Sequence, residues 1–265
     1  MLLQVPESAL GLRVFISYSR RNQAFVEAMH AHLSACGATP HADRALIDLW
    51  YDQRSIPIGE DWKAVLIDGL LTTDLVMLFV SPNSMQSEYV RQEIALARQH
   101  AIPVVPVVYR AVADDPASLP GEAWDFYTSV RRIQWIDLDG IEPPYTAHTN
   151  FDLLEAGLEE AWRVKIDRLI GPAPDAKTEQ SVICALYKTD HPWAVRYLDR
   201  QIETLMRLSP PNPLRAQYYA HALACIQAQN GPATWQARIN WWRAEIPPAY
   251  TQLLEYAARR PIPPG

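Results

Sequence analysis

Tyr89 and Glu93 are the two side chains of this sequence whose types and spacing best suit chemistry. They lie four residues apart in segment 87–100, whose pattern predicts a helix, so an aromatic ring and a carboxylate project from one helical face. Such a pair offers a stacking surface next to a negative charge. A lone glutamate on a helix is usually solvated surface. Glu93 is favoured as a functional residue because its helix is predicted to follow a buried strand.

Two loops add polar side chains, and each could equally be an ordinary turn. Residues 17–22 contain two serines, two arginines and an asparagine, any of which suits a helix cap or a surface turn. Residues 52–59 combine an acid, a base, Pro57 and Gly59, and the last two can simply shape a turn.

Several common catalytic and metal motifs do not occur. The chain contains no GxGxxG, GxxxxGK[ST], GxSxG, HExxH or CxxC pattern. Its three cysteines, Cys36, Cys184 and Cys225, are too scattered for a disulfide framework or a metal site, and His30 and His32 are not at ligand spacing. The sequence therefore predicts neither a metal nor a cofactor.

The elements that must position these residues alternate between strand and helix. Strands are predicted at 12–17, 46–51, 75–80, 102–109 and 133–136, and helices at 22–36, 60–71, 87–100 and 151–170. This alternation predicts an α/β fold with a doubly wound, mainly parallel five-stranded sheet. Ligands bind beyond the carboxyl ends of such strands, where residues 17–22, 52–59 and 81–93 are expected to lie.

A proline-rich break separates this region from the rest of the chain. Residues 171–174, Gly-Pro-Ala-Pro, are followed by five short helical patterns, at 177–190, 192–208, 213–229, 232–245 and 248–259. We therefore predict an α/β domain at 11–170 and an all-helical appendage at 172–265. The appendage would serve oligomerisation or regulation.

Composition excludes several classes of protein. Of the 265 residues, 49% are hydrophobic and 20% are charged, which is typical of a packed protein. The formal net charge of −6 disfavours direct binding to nucleic acid. No apolar run reaches the roughly 20 residues that span a bilayer, and no secretory signal begins the chain, so a cytoplasmic location without membrane contact is expected.

Three segments in the right order resemble the Toll/interleukin-1 receptor (TIR) domain family. Residues 13–19, RVFISYS, look like its first box, and residues 50–59, WYDQRSIPIG, resemble the loop after its second strand. The strand at 75–80 is followed by Ser87, Tyr89 and Glu93, which match the family's Ser-x-aromatic-x-x-x-Glu helix. The resemblance covers about residues 11–170 and implies a flavodoxin-like fold.

The resemblance to NAD⁺-cleaving members, including bacterial ones, implies a catalytic residue and a substrate. Glu93 matches their catalytic glutamate, and Tyr89 matches the aromatic residue, often tryptophan, that flanks the nicotinamide. Nicotinamide leaves as a neutral group, so positive charge develops on the ribose, where a carboxylate stabilises it. Further substrate contacts implied for this chain are Phe15, Ser17, Tyr18, Arg20, Asp52, Arg54 and Ser87, with the arginines and Arg21 near the pyrophosphate.

The resemblance also implies partners and an alternative function. The loop at 52–59 would gate the site and contact a second TIR subunit through Asp52, Ile56, Pro57 and Gly59. Self-assembly would then activate the enzyme. The enzyme would be an NAD⁺ nucleosidase that hydrolyses or cyclises its substrate. If the source is bacterial, antiphage defence would follow, with a regulatory protein or ligand acting through 172–265. Alternatively, the chain is a non-catalytic adaptor that acts through TIR–TIR contacts alone.

Overall fold

The computed structural model describes residues 9–39, 45–51, 62–141, 149–172, 176–189 and 191–208, together with 212, 215–220, 222, 223, 240 and 244. The chain divides into two compact units. The first comprises residues 11–38 and 45–162, and the second is formed mainly by the chain from residue 163 onward. This division falls eight residues before the Gly-Pro break at 171, inside a long helix.

The first unit is built on a five-stranded parallel sheet. Its strands are β1 (Leu12–Ser17), β2 (Ile47–Trp50), β3 (Leu75–Val80), β4 (Val104–Val108) and β5 (Ile136–Asp137). Their order across the sheet is β2-β1-β3-β4-β5, and every neighbouring pair is parallel. The predicted fold class is therefore confirmed.

Strand β3 lies at the centre because all six of its residues are apolar. Each of them is buried, as expected for a strand covered by helices on both faces. Phe15 on β1 and Met85 after β3 belong to the same layer of buried side chains. The hydrophobic core thus surrounds the two strands, β1 and β3, whose carboxyl ends meet the predicted site.

Helices connect the strands on both faces of the sheet. They are α1 (Gln23–Cys36), α2 (Trp62–Leu71), α3 (Pro82–Gln86), α4 (Glu88–Gln99), α5 (Gly121–Val130) and α6 (Thr149–Ile170). The short helix α3 replaces the plain break predicted at residues 81–84. It forms because Ser81 and Ser84 make a reciprocal capping box around Pro82, whose missing N–H costs nothing in the first turn.

The second unit is helical, as predicted for the C-terminal region. It contains α7 (Ala176–Thr189) and α8 (Pro192–Arg207), and residues 215–220 are also helical. Trp193, Tyr197 and Leu198 are buried along one stripe of α8. The helices predicted at 213–229, 232–245 and 248–259 lie largely outside the described residues. Within the described part of the chain, no helix has the length and apolarity needed to cross a membrane.

Candidate functional site

The candidate site lies where the winding direction of the sheet reverses. β1 is followed along the chain by β2 on one side, whereas β3 pairs with its other side, so the carboxyl ends of β1 and β3 form the topological switch point. Crevices at this point bind ligands in open α/β sheets. The chain leaves β1 at Ser17 and enters α3 and α4 directly after β3.

Ser17 and Glu93 meet at this point. The Ser17 hydroxyl donates a hydrogen bond of 2.6 Å to Oε2 of Glu93, across 76 positions of sequence. Ser17 is fully buried, and Glu93 is only 6% exposed. A buried carboxyl group needs hydrogen-bonding partners, so this contact orients it as well as stabilising it.

The segment that carries Glu93 is held by serine caps. Ser81 donates to Oδ1 of Asn22 at 2.8 Å, which ties the end of β3 to the start of α1. Ser87 is the N-cap of α4, and its hydroxyl accepts a hydrogen bond from the backbone N–H of Val90. The position of Glu93 is therefore determined by two strand ends and a capped helix rather than by a free loop.

Comparison with known proteins decides the family. The family model described as TIR domain matches residues 14–154, which is more than half of the chain. The chain belongs to the TIR domain family. The match begins in β1 and ends inside α6, so most of the first compact unit lies within it.

Two further comparisons give individual relatives. An uncharacterized protein of Sinorhizobium fredii (strain NBRC 101917 / NGR234), y4lF, is 29% identical over 103 residues, covering 37% of this chain and 30% of that protein. The chain therefore matches less than a third of this relative's length. A second similar structure is that of the TIR domains of the activated Roq1 resistosome, which directly recognizes the pathogen effector XopQ. These domains are 16% identical to this chain and superpose with a TM-score of 0.36. The match covers 57% of this chain and 99% of theirs.

The predicted substrate contacts of the TIR domain occupy different environments. Tyr18 is buried beside Ser17, with its ring edge-on to Tyr51 at a centroid distance of 5.7 Å. Phe15 is fully buried and packs on Trp50, with ring centroids 4.4 Å apart, so its side chain is part of the core. Arg20 and Arg21 are exposed in the turn after β1.

Tyr89 and Ser87 lie at the solvent side of the same helix. The side chain of Tyr89 is 62% exposed, one turn before the buried Glu93, and Ser87 is half-buried at the N-cap. Along this turn of the helix, Tyr89 therefore lies at the surface, whereas Glu93 is buried. A role of Tyr89 beside nicotinamide stays a prediction.

The remaining predicted site residues lie outside the described residues. These are the substrate and interface residues of the loop at 52–59, namely Asp52, Arg54, Ile56, Pro57 and Gly59. Their predicted contacts with substrate and with a second subunit stay predictions.

The first unit contains one cluster of metal-type ligands that the sequence did not predict. His32 and Cys36, four residues apart on α1, meet Glu155 of α6. The sequence contained one signal for it, since a spacing of four places two side chains on one helical face. The pair mixes two residue types, so neither the cysteine spacing nor the histidine spacing by itself indicates it.

The second unit contains an open pocket of about 560 Å³, and Asp167 and Tyr197 are among the residues that line it. Asp167 accepts hydrogen bonds from Arg163 at 2.8 Å and from the hydroxyl of Tyr197 at 2.8 Å. Glu179 is buried and accepts from Arg215 at 2.6 Å and from Tyr219. Burial, together with these carboxylates, raises the pKa of Tyr197 and of Tyr219 well above that of a free tyrosine.

Proposed function

We propose that the protein is an NAD⁺ nucleosidase that cleaves the bond between nicotinamide and ribose. One observation carries the proposal: a TIR domain holds a nearly buried glutamate, Glu93, against Ser17 at the topological switch point of its sheet. A TIR domain without chemistry needs no carboxyl group there. A buried carboxyl group destabilises a fold unless it is paired, and buried ionisable groups in a ligand-binding crevice are typical of functional sites.

The reaction needs negative charge rather than a base or a metal. When the bond between C1′ of the ribose and the pyridinium nitrogen breaks, its electron pair goes to the nitrogen, nicotinamide leaves neutral, and the ribose becomes an oxocarbenium-like cation. An ionised Glu93 would stabilise that cation because it acts in a site with little water. A water oxygen then bonds to C1′, and its proton passes to solvent, giving ADP-ribose.

Ser17 fits the role of a positioning residue in this scheme. Its hydroxyl donates to Oε2 of Glu93 and so fixes the orientation that the carboxyl group would present to the ribose. The exposed Arg20 and Arg21 lie three and four residues after Ser17 and would contribute positive charge toward the pyrophosphate. The hydrogen bond thus links the strand end to the group that would carry the chemistry.

Self-assembly belongs to the proposal as well. TIR–TIR contacts through the loop at 52–59 would complete the site, and residues 172–265 would bring subunits together or receive a regulatory protein or ligand. Depletion of NAD⁺ on assembly would serve cytoplasmic defence against infection, including antiphage defence in a bacterium.

The experiment measures nicotinamide released from NAD⁺ over a wide range of protein concentration. Glu93→Gln removes the charge but keeps the side-chain shape and an oxygen that accepts from Ser17. We expect its rate to fall by at least about 100-fold, the loss that accompanies removal of one electrostatic contact to a transition state. Glu88→Gln is the matched control, because Glu88 is an exposed glutamate at the start of the same helix.

The outcome separates the enzyme from the adaptor. Equal nicotinamide release by wild type and Glu93→Gln would refute the assignment of Glu93. Absence of release by wild type at every concentration, in a protein that self-associates, would favour the adaptor function.

A further inference from the structure

A group of three unlike ligands joins helices α1 and α6 of the TIR domain. Nε2 of His32 lies 3.2 Å from Oε1 of Glu155, and Sγ of Cys36 lies 3.1 Å from the same oxygen. The third side of this triangle, from Cys36 Sγ to His32 Nε2, measures 3.6 Å. In the described part of the chain this is the one group of three such side chains whose ligand atoms all lie within 4.8 Å of one another.

The triangle has the dimensions of one face of a tetrahedral zinc site. Zinc bonds to imidazole nitrogen, thiolate sulfur and carboxylate oxygen at about 2.0–2.1, 2.3 and 2.0–2.2 Å, which places tetrahedral neighbours about 3.3–3.6 Å apart. The three observed distances differ from these separations by no more than about 0.5 Å. An ion could therefore occupy a point just outside the plane of the three atoms with little movement of either helix.

We propose that His32, Cys36 and Glu155 bind a Zn²⁺ ion, with water as the fourth ligand. The donor set favours zinc over Ca²⁺ and Mg²⁺, because imidazole and thiolate suit zinc, whereas Ca²⁺ and Mg²⁺ take oxygen ligands. The side chains of His32 and Glu155 are 18% and 39% exposed, so water reaches the open position. On binding, the Cys36 S–H bond breaks, the S–Zn bond forms, and the proton passes to solvent.

Such an ion would fasten two distant parts of the TIR domain. Cys36 is the last residue of α1 and Glu155 lies in α6, 119 positions later. Helix α1 begins six residues after Ser17, so zinc would hold the far end of the helix that follows the candidate site. The inference is independent of NAD⁺ cleavage, since none of the three ligands belongs to the site around Glu93.

The test uses the purified full chain, stripped of metal by dialysis, and Zn²⁺ alone as the probe. Titration in competition with a chromophoric chelator gives the stoichiometry and affinity. Cys36→Ser and Glu155→Gln remove one ligand each, while Cys184→Ser, an exposed cysteine elsewhere, and His30→Gln, on the same helix, are the matched controls.

We expect wild type and both controls to bind one equivalent of zinc. Each ligand variant should lose more than the 10- to 100-fold in affinity that loss of an outer-sphere partner costs. With Co²⁺ in place of Zn²⁺, a thiolate-to-cobalt charge-transfer band should appear in wild type and Cys184→Ser and vanish in Cys36→Ser. Zinc should also raise the unfolding temperature of wild type, and of neither ligand variant.

Two results would overturn the proposal. One is a folded wild type that binds less than one equivalent, which would leave only a hydrogen-bonded cluster. The other is zinc affinity within about threefold of wild type in Glu155→Gln, a variant of equal size and shape whose folding is checked by circular dichroism.

Discussion

Replacing Ser17 with alanine gives the sharpest test of how the candidate site is held. The substitution removes the hydroxyl that donates to Glu93 at 2.6 Å and changes little else, because Ser17 is fully buried and alanine fits the space. The neighbouring Ser19 is also buried, and its side chain makes no capping hydrogen bond. Ser19→Ala is therefore the matched control.

The magnitude follows from the burial of both partners. A hydrogen bond to a charged group contributes about 1.5–3 kcal/mol, and little water reaches Glu93 to replace it. If all of this free energy serves to orient Glu93 in the transition state, kcat should fall by about 10- to 150-fold. KM should change little, since Ser17 acts through Glu93 rather than on the substrate's ground state.

The assay is nicotinamide release at saturating NAD⁺, combined with the free energy of unfolding in urea for both variants. We expect Ser17→Ala to lose kcat while Ser19→Ala stays within about twofold of wild type. Two results would refute the reasoning about position. One is a kcat of Ser17→Ala equal to that of Ser19→Ala. The other is a Ser17→Ala variant in which KM rises while kcat is unchanged.

Two further predictions concern stability. A Cβ at Gly69 would overlap the ring of Trp50, so Gly69→Ala should lower the free energy of unfolding by about 1–3 kcal/mol. Gly157→Ala, where a Cβ would meet nothing within 4 Å, should raise the free energy of unfolding by up to about 1 kcal/mol. Urea unfolding measures both changes, and changes of the same sign would contradict the packing argument. Because burial raises the pKa of Tyr197 and Tyr219, the unfolded chain loses their protons at lower pH than the folded chain does. The free energy of unfolding should therefore fall as the pH rises above about 10, the pKa of a free tyrosine. For each of the two tyrosines the fall should be up to about 1.4 kcal/mol per pH unit. Between pH 8 and 11 the free energy of unfolding should decline less steeply with pH in the double variant Tyr197→Phe, Tyr219→Phe than in wild type. An equal slope in the two proteins would show that these tyrosines do not cause the decline.

Local sequence was sufficient for most elements of the TIR domain. The six apolar residues of β3 predicted a strand buried on both faces, and the bounds 75–80 agree with the structure because no polar residue interrupts the run. Ser87 marked the start of α4 correctly, since its hydroxyl caps the first turn. Such features depend on neighbours in the chain, which the sequence displays directly.

Edge elements were harder to predict. The last strand was expected at 133–136, whereas β5 is Ile136–Asp137, because a two-residue edge strand is defined by its pairing with Val107 and Val108 rather than by its own composition. Helix α5 was not predicted at all. Four of its residues, Ala123, Phe126, Tyr127 and Val130, face the core at helical spacing, but Gly121 and Pro120 at its start resemble a turn.

What sequence alone determined is therefore most of the strands and helices and the family resemblance, from which the prediction for Glu93 follows. Tertiary structure alone decided which side chains meet. Ser17 contacts Glu93 only because β3 pairs with β1, and His32 and Cys36 meet Glu155 only because α6 packs beside α1. These contacts span 76 to 123 positions, and nothing local encodes them. Their partners are chosen by the order in which the strands and helices pack, which minimises exposed apolar surface over the whole domain.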